Sequence, residues 1–211
     1  MNAALLHRYD VDVLPEIAWK NGCGTTRELV CRPQGADMHD FDWRVSIATI
    51  AVDAAFSAFP GVERCIVLLQ GGGVRLTSSD GAGIEHRLDE AYAPFVFDGG
   101  RVLQATLLAG VSTDFNTMTR RGRHHAQIAV LRAPAALDLP PRGLLHAAAG
   151  EWMLDAADGT VVLATGQGVW WEGTGRTGWR ASPRAPSAAP AVLLVVAIDD
   201  ADARSPARDA R

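Results

Sequence analysis

Short runs of strand-like residues, each cut off by glycine, proline or aspartate, recur along almost the whole chain, and this rhythm constrains the fold more than any other feature. The runs at 25–31, 41–50, 63–70, 73–78, 94–99, 101–109, 112–120 and 126–133 have the length and the apolar, β-branched content of strands. With 21 glycines, 11 prolines and only 21% charged residues, the composition suits short strands and tight turns better than long surface helices. The expected class is all-β, a sandwich or a barrel.

A second set of strand-like runs follows, RGLLHAA, GEWMLDA, GTVVLAT, GVWWEG and, at 191–198, AVLLVVAI. Between the sets, 133–141 reads as a connector whose prolines interrupt strand pairing. The two sets echo each other at a shift of about 75 residues. Leu68-Leu69 before Gly73 parallels Leu144-Leu145 before Gly150, Asp80-Gly81 parallels Asp158-Gly159, and Phe95 to Gly99 parallels Val169 to Gly173. A rival register aligns 66–74 with 161–169 but covers one strand and a turn, so the longer match is preferred and a duplicated architecture is expected. The segment 199–211 has almost no apolar content and reads as a disordered tail.

A net charge of −4 offers no broad positive field for a phosphate backbone, so nucleic acid is not an expected partner. Cys23, Cys31 and Cys65 are an odd number without a CxxC pair, which fits reduced thiols. The first residues lack a signal-peptide pattern and no run approaches a membrane span, so a cytoplasmic location with no membrane partner is expected.

Four segments carry a family resemblance: Trp19-Lys20-Asn21-Gly22-Cys23-Gly24-Thr25-Thr26-Arg27-Glu28, Trp43-Arg44-Val45-Ser46-Ile47-Ala48, Phe56-Ser57-Ala58-Phe59-Pro60-Gly61-Val62-Glu63-Arg64, and Asp114-Phe115-Asn116-Thr117-Met118-Thr119-Arg120-Arg121-Gly122. In order and spacing they resemble the HutD/Ves family, and 166–173 is similar to its more variable second half. The resemblance implies a bicupin, two small β-barrels of the double-stranded β-helix type in one unit, divided here as 1–124 and 125–198. For the HutD branch it also implies a link to bacterial histidine utilisation through a small acidic ligand such as urocanate or formylglutamate. The Ves branch is linked to stress responses, and the motifs do not choose between the two.

Alternation along 41–50 puts Phe41, Trp43, Val45 and Ile47 on one strand face and Asp42, Arg44, Ser46 and Ala48 on the other. The second face either meets solvent or lines a barrel interior, where the planar fork of Arg44 would suit a carboxylate. In 112–120, Asp114, Asn116 and Met118 share a face, so Asp114 and Asn116 are candidates either for ligand contact or for a structural network with Arg44 or Arg64. Arg27 and Glu28 point to opposite faces, as do Glu63 and Arg64, so at most one of each pair can enter one cavity. The glycines around Asn21 could bring backbone N–H groups to an anion, or merely shape a loop packed by Trp19.

No His-x-His occurs, and the stretch before Glu63 supplies no imidazole, so no metal or other cofactor is expected. His124 and His125, as strand neighbours, point apart. Cys23 has no histidine near it in sequence and reads as an incidental loop thiol; Cys31 and Cys65 read as small core residues. No catalytic residue is assigned. The resulting expectation is a metal-free binding protein for a small carboxylate metabolite that modulates histidine catabolism, with Arg44 and Asn116 central and Asn21, Arg27, Trp43, Glu63, Arg64 and Asp114 supporting. The rival is a metal-independent isomerase or hydrolase using Glu63 or Asp114 as acid/base. Further packing into a homodimer stays open.

Overall fold

A computed structural model of the chain describes residues 6–78, 83–157, 159–184 and 190–201. Among them the only helical element longer than one residue is a single 3-10 turn, Val11–Val13; the rest is strands and turns. No helix among the described residues is long and apolar enough to cross a membrane.

Two jelly rolls, each a pair of facing antiparallel sheets rather than a closed barrel, account for the strands. The first roll has a six-stranded sheet ordered β2 (Glu16–Ala18), β3 (Gly24–Arg32), β4 (Trp43–Ile50), β11 (Ser112–Arg120), β6 (Val62–Gly71), β9 (Pro94–Asp98). Its four-stranded sheet is β5 (Ala54–Phe56), β10 (Leu103–Leu107), β7 (Val74–Ser78), β8 (Glu85–Leu88). The second roll pairs β1 (His7–Asp10), β17 (Gln167–Glu172), β14 (Arg142–Ala149), β19 (Val192–Asp200), β12 (His124–Leu131) with β13 (Ala135–Leu139), β18 (Arg176–Pro183), β15 (Trp152–Ala156), β16 (Gly159–Leu163).

Adding eight to each strand number converts β4-β11-β6-β9 into β12-β19-β14-β17, and β5-β10-β7-β8 into β13-β18-β15-β16. The duplication read from sequence is therefore a topological one. Leu68-Leu69 and Leu144-Leu145 fall on the equivalent strands β6 and β14, and Phe95 and Val169 on the equivalent β9 and β17. The rival register would have matched β6 to β16, which hold different places. Asp80-Gly81 and Asp158 lie outside the described residues.

Three boundaries differ from expectation. The N-terminal strand β1 pairs with β17, from His7 opposite Trp170 to Asp10 opposite Gln167, so it completes the second roll's sheet rather than the first's. Tyr9 can cross there because residue 168 is glycine: a Cβ would lie 2.2 Å from the Tyr9 ring. The expected connector contains β13, whose pairing with β18 lies between Pro134 and Pro140; the prolines bound the strand instead of abolishing it. Asp199 and Asp200, expected in the tail, end β19 opposite His125 and His124; from residue 202 on, the tail lies outside the described residues.

The rolls meet face to face. Trp43, Val45, Ile47, Val67 and Phe115 on the outer face of the first roll's larger sheet form one buried cluster with Leu144, Leu194, Val196 and Ile198 of the second roll. Each fully buried aliphatic side chain contributes about 1.5–3 kcal/mol. β19 reads as a continuous apolar run because both its faces are covered: Leu193 and Val195 enter the second roll's own core, and their neighbours meet the first roll. Polar pairs clasp the rim of this contact, with His125 Nδ1 2.8 Å from Glu63 and Arg32 on Glu172.

Candidate functional site

The polar face of the first roll's central strands points inward. β11 lies between β4 and β6, with Asn116 opposite Ser46 on one side and Ile66 on the other, and Met118 opposite Arg44 and Arg64. Because Ile66 and Leu68 belong to the core shared with Leu76, Leu103 and Ala105 of the facing sheet, Arg64, Asp114 and Asn116 face that interior too. Arg44, Arg64, Asp114 and Asn116 are each less than a tenth exposed. A solvated strand face for Arg44 is thereby excluded.

Arg44 donates from Nε to Glu28 at 2.7 Å and from a terminal nitrogen to Ser46 Oγ at 3.1 Å. Arg64 donates from Nε and a terminal nitrogen to Asn116 Oδ1 at 3.3 and 3.1 Å. Its guanidinium is ringed by Phe56, Phe59 and Phe97, with centroids 5.2, 5.7 and 5.1 Å away. Among the described residues no carboxylate oxygen lies within ion-pair distance of Arg64. Burial, reinforced by Arg44 and opposed by Asp114, lowers its pKa to about 10. Asp114 Oδ2 is buried without a hydrogen-bond partner. Burial raises the Asp114 pKa to about 7 against the opposing pull of Arg64, so this carboxyl keeps its proton far more readily than an ordinary aspartate.

The other expected site residues lie elsewhere. Trp43 points to the opposite face, into the contact between the rolls, where it meets Trp170 edge to face at 6.3 Å. Glu63 alternates with Arg64 and so faces outward to His125, which places it on the other side of the sheet from Asp114 and removes it as that residue's acid/base partner. Arg27 is likewise outward, opposite Ile47, and ion-paired to Glu16 at 2.7 Å. Asn21 is exposed, its side-chain oxygen accepting from the Cys23 N–H at 3.0 Å. The loop there is a turn packed by Trp19, whose ring nitrogen donates to Thr26 Oγ1 at 2.8 Å. Residue 24 is glycine because a Cβ would meet the Thr49 carbonyl at 2.3 Å.

Sequence reasoning missed Glu28, Ser46, Met118 and the three phenylalanines as components of this interior. Alternation already favoured Ser46 and Met118 alongside Arg44 and Asn116. The convergence of Phe56, Phe59 and Phe97 from separate segments leaves no local signal.

These groups do not fit a metal ion. Guanidinium groups have no lone pair to give and repel a cation, and among the described residues the interior adds only Asp114 and the Arg44-bound Glu28 as carboxyl groups and no imidazole. No group of three or more His, Cys, Asp or Glu among the described residues could hold one. His124 and His125 turn to different partners, Asp200 at 3.3 Å and Glu63 at 2.8 Å. Burial pushes the thiols of Cys31 and Cys65 up to about 11 and about 12, leaving neither a ready thiolate.

Two clefts, of about 300 and 420 Å³, open between the rolls, and neither is lined by Arg44, Arg64, Asp114 or Asn116. The interior of the second roll is more apolar, filled by Trp152, Trp171, Trp179, Leu145, Leu193 and Val195, with one buried guanidinium, Arg176, over the Trp179 ring.

The chain is 40% identical over 164 residues to the protein Ves of Citrobacter koseri, an alignment that covers 77% of this chain and 81% of that one. Its fold matches a conserved protein of unknown function from Pseudomonas aeruginosa PAO1 at a TM-score of 0.81 and 31% identity, covering 93% of this chain and all of the other. HutD from Pseudomonas fluorescens SBW25 matches at a TM-score of 0.76 and 25% identity, covering 93% and 99%. The family model described as HutD spans residues 12–188, and with this two-roll cupin architecture the chain belongs to the HutD family.

Proposed function

We propose that this chain binds a small carboxylate metabolite, urocanate-like or formylglutamate-like, inside its first jelly roll and thereby modulates histidine catabolism. The observation that carries the reading is the contrast between two rolls of one topology. The second is filled mainly with tryptophan, leucine and valine and, among the described residues, buries a single guanidinium, Arg176, over Trp179, while the first clusters two guanidinium groups, an amide and a carboxyl. Arg44 is balanced by Glu28, but among the described residues Arg64 has only the neutral Asn116 and Asp114 Oδ2 has no hydrogen-bond partner, and burying such groups is costly, so they point to a ligand. An anionic carboxylate suits the Arg64 guanidinium, whose hydrogen bonds go to a neutral amide.

Thermal melting with urocanate and with N-formylglutamate tests it. A ligand at about a hundred times its Kd raises folded-state stability by about 2.7 kcal/mol. Arg44→Ala should weaken binding by about 1.5–3 kcal/mol, whereas Arg75→Ala, at an exposed position, should not. If neither compound shifts the melting curve, the reading fails. The enzyme alternative keeps one support, the raised pKa of Asp114, which suits a general acid/base. Turnover of the same compounds at micromolar protein, lost in Asp114→Asn, would favour it instead.

A further inference from the structure

The smaller cleft between the rolls, about 300 Å³, has a lining that the contact between two sheets does not require. We propose that it is a second binding site, for a neutral polyhydroxylated molecule of monosaccharide size. Its floor is a row of polar side chains in register across four strands. Thr25 lies opposite Thr49, Thr49 opposite Thr113, and Thr113 opposite Gln70, and all four line the cleft. Neighbouring strands are about 4.8 Å apart, close to the separation of alternate hydroxyls on a six-membered sugar ring.

The row is poorly used by the protein itself. Among the described residues the three threonine hydroxyls share one side-chain hydrogen bond, Thr49 to Thr113 at 3.5 Å, the outer limit for such a contact. The Nε of Arg27, in the same lining, is buried without an acceptor, although a terminal nitrogen of that guanidinium holds Glu16. An unpaired donor just beneath a cleft wall becomes a position for a ligand oxygen once the Arg27 side chain turns it toward the opening. The facing wall brings His146, buried and held neutral, with Nδ1 3.2 Å from the Tyr9 hydroxyl. A neutral imidazole offers one donor and one acceptor.

Charge separates this cleft from the first roll's interior. Asp12 and Glu16 at its mouth outnumber Arg27, which is already paired, so an anion gains nothing there. Carboxylates accept readily from hydroxyls. Ile47, Leu69 and Ala148 supply apolar contact for ring C–H groups, and a cleft at the junction of two units is a common place for such a site.

The test uses the full chain with labelled histidine, following the His146 ring resonances while myo-inositol and D-glucose are added to millimolar levels. A saturable shift with either is expected, weakened about tenfold or more in Thr49→Val/Thr113→Val, a change that keeps shape and strand preference but removes two hydroxyls. Arg75→Ala should titrate like the parent. Gln70→Ala, at an exposed position, gives a second reading of the row should the double variant fail to fold. No saturable shift with either compound, or undiminished affinity in a folded variant lacking these groups, overturns the proposal. So does a His146 response to urocanate or to a simple amine in place of the two polyols.

Discussion

Arg64 gives two hydrogen bonds to one neutral acceptor, the side-chain oxygen of Asn116, at 3.3 and 3.1 Å. An amide satisfies the geometry of a buried guanidinium without cancelling its charge, and the surrounding phenyl faces offset only part of the desolvation. Exchange for an uncharged side chain of similar length should therefore cost little stability. Arg64→Met is expected to unfold within about 1.5 kcal/mol of the parent and to lose the melting shift induced by urocanate or N-formylglutamate. A variant that binds as before would remove Arg64 from the site.

Asp114 should make the empty protein less stable as pH rises. Its folded pKa is raised to about 7, so between the unfolded value near 3.8 and about 7 the native state holds a proton that the unfolded chain has released. Stability from this group is complete below the lower value and lost as pH climbs through the upper one. Asp114→Asn keeps the shape and removes the charge. Its urea midpoint should exceed that of the parent at pH 8 and approach it near pH 4; an equal difference at both values would contradict the assignment.

The faces of β4 and β11 were legible in sequence because alternation needs no tertiary information, and it grouped Arg44 with Ser46 and Asp114 with Asn116. It could not say that the opposite face, with Trp43 and Ile47, would be covered by another sheet instead of solvent. It also could not choose between Arg27 and Glu28 or between Glu63 and Arg64. A register shift between Glu28 and Val30 changes the parity of β3, and only contact with the other elements reveals which member turns inward. The crossing of β1 into the second roll depends on a pairing more than 150 residues distant in sequence, His7 with Trp170, which no local pattern encodes.

His146 predicts the opposite pH slope from Asp114. Burial lowers its pKa to about 4, so between that value and the unfolded 6.5 the unfolded chain binds a proton that the native state refuses. Its contribution to stability is complete above 6.5 and falls as pH drops toward 4. The ring stacks near Phe115 at 5.5 Å, and protonation there would place a charge between the rolls. His146→Gln, which stays neutral, should flatten the acid limb of the stability profile between pH 6.5 and 4. An unchanged acid limb would show that other groups set it.

The two rolls should behave as one cooperative unit. A chain cut after Ala133 keeps the strands of the first roll but loses β14, β17 and β19, which cover Trp43, Val45, Ile47 and Phe115, and it leaves β1 without its partner β17. The uncovered sheet face would be a contiguous apolar surface of a kind that soluble monomers rarely present. The fragment 1–133 is therefore expected to aggregate or unfold, and the full chain to melt in a single transition whose calorimetric and van't Hoff enthalpies agree. Truncating the second roll's core instead, by Trp171→Ala at a fully buried position, should lower the stability of the whole chain by about 3–5 kcal/mol, with signals from both rolls shifting together. A soluble, monomeric 1–133 fragment with native-like melting, or two separate transitions in the Trp171 variant, would show that the first roll stands alone.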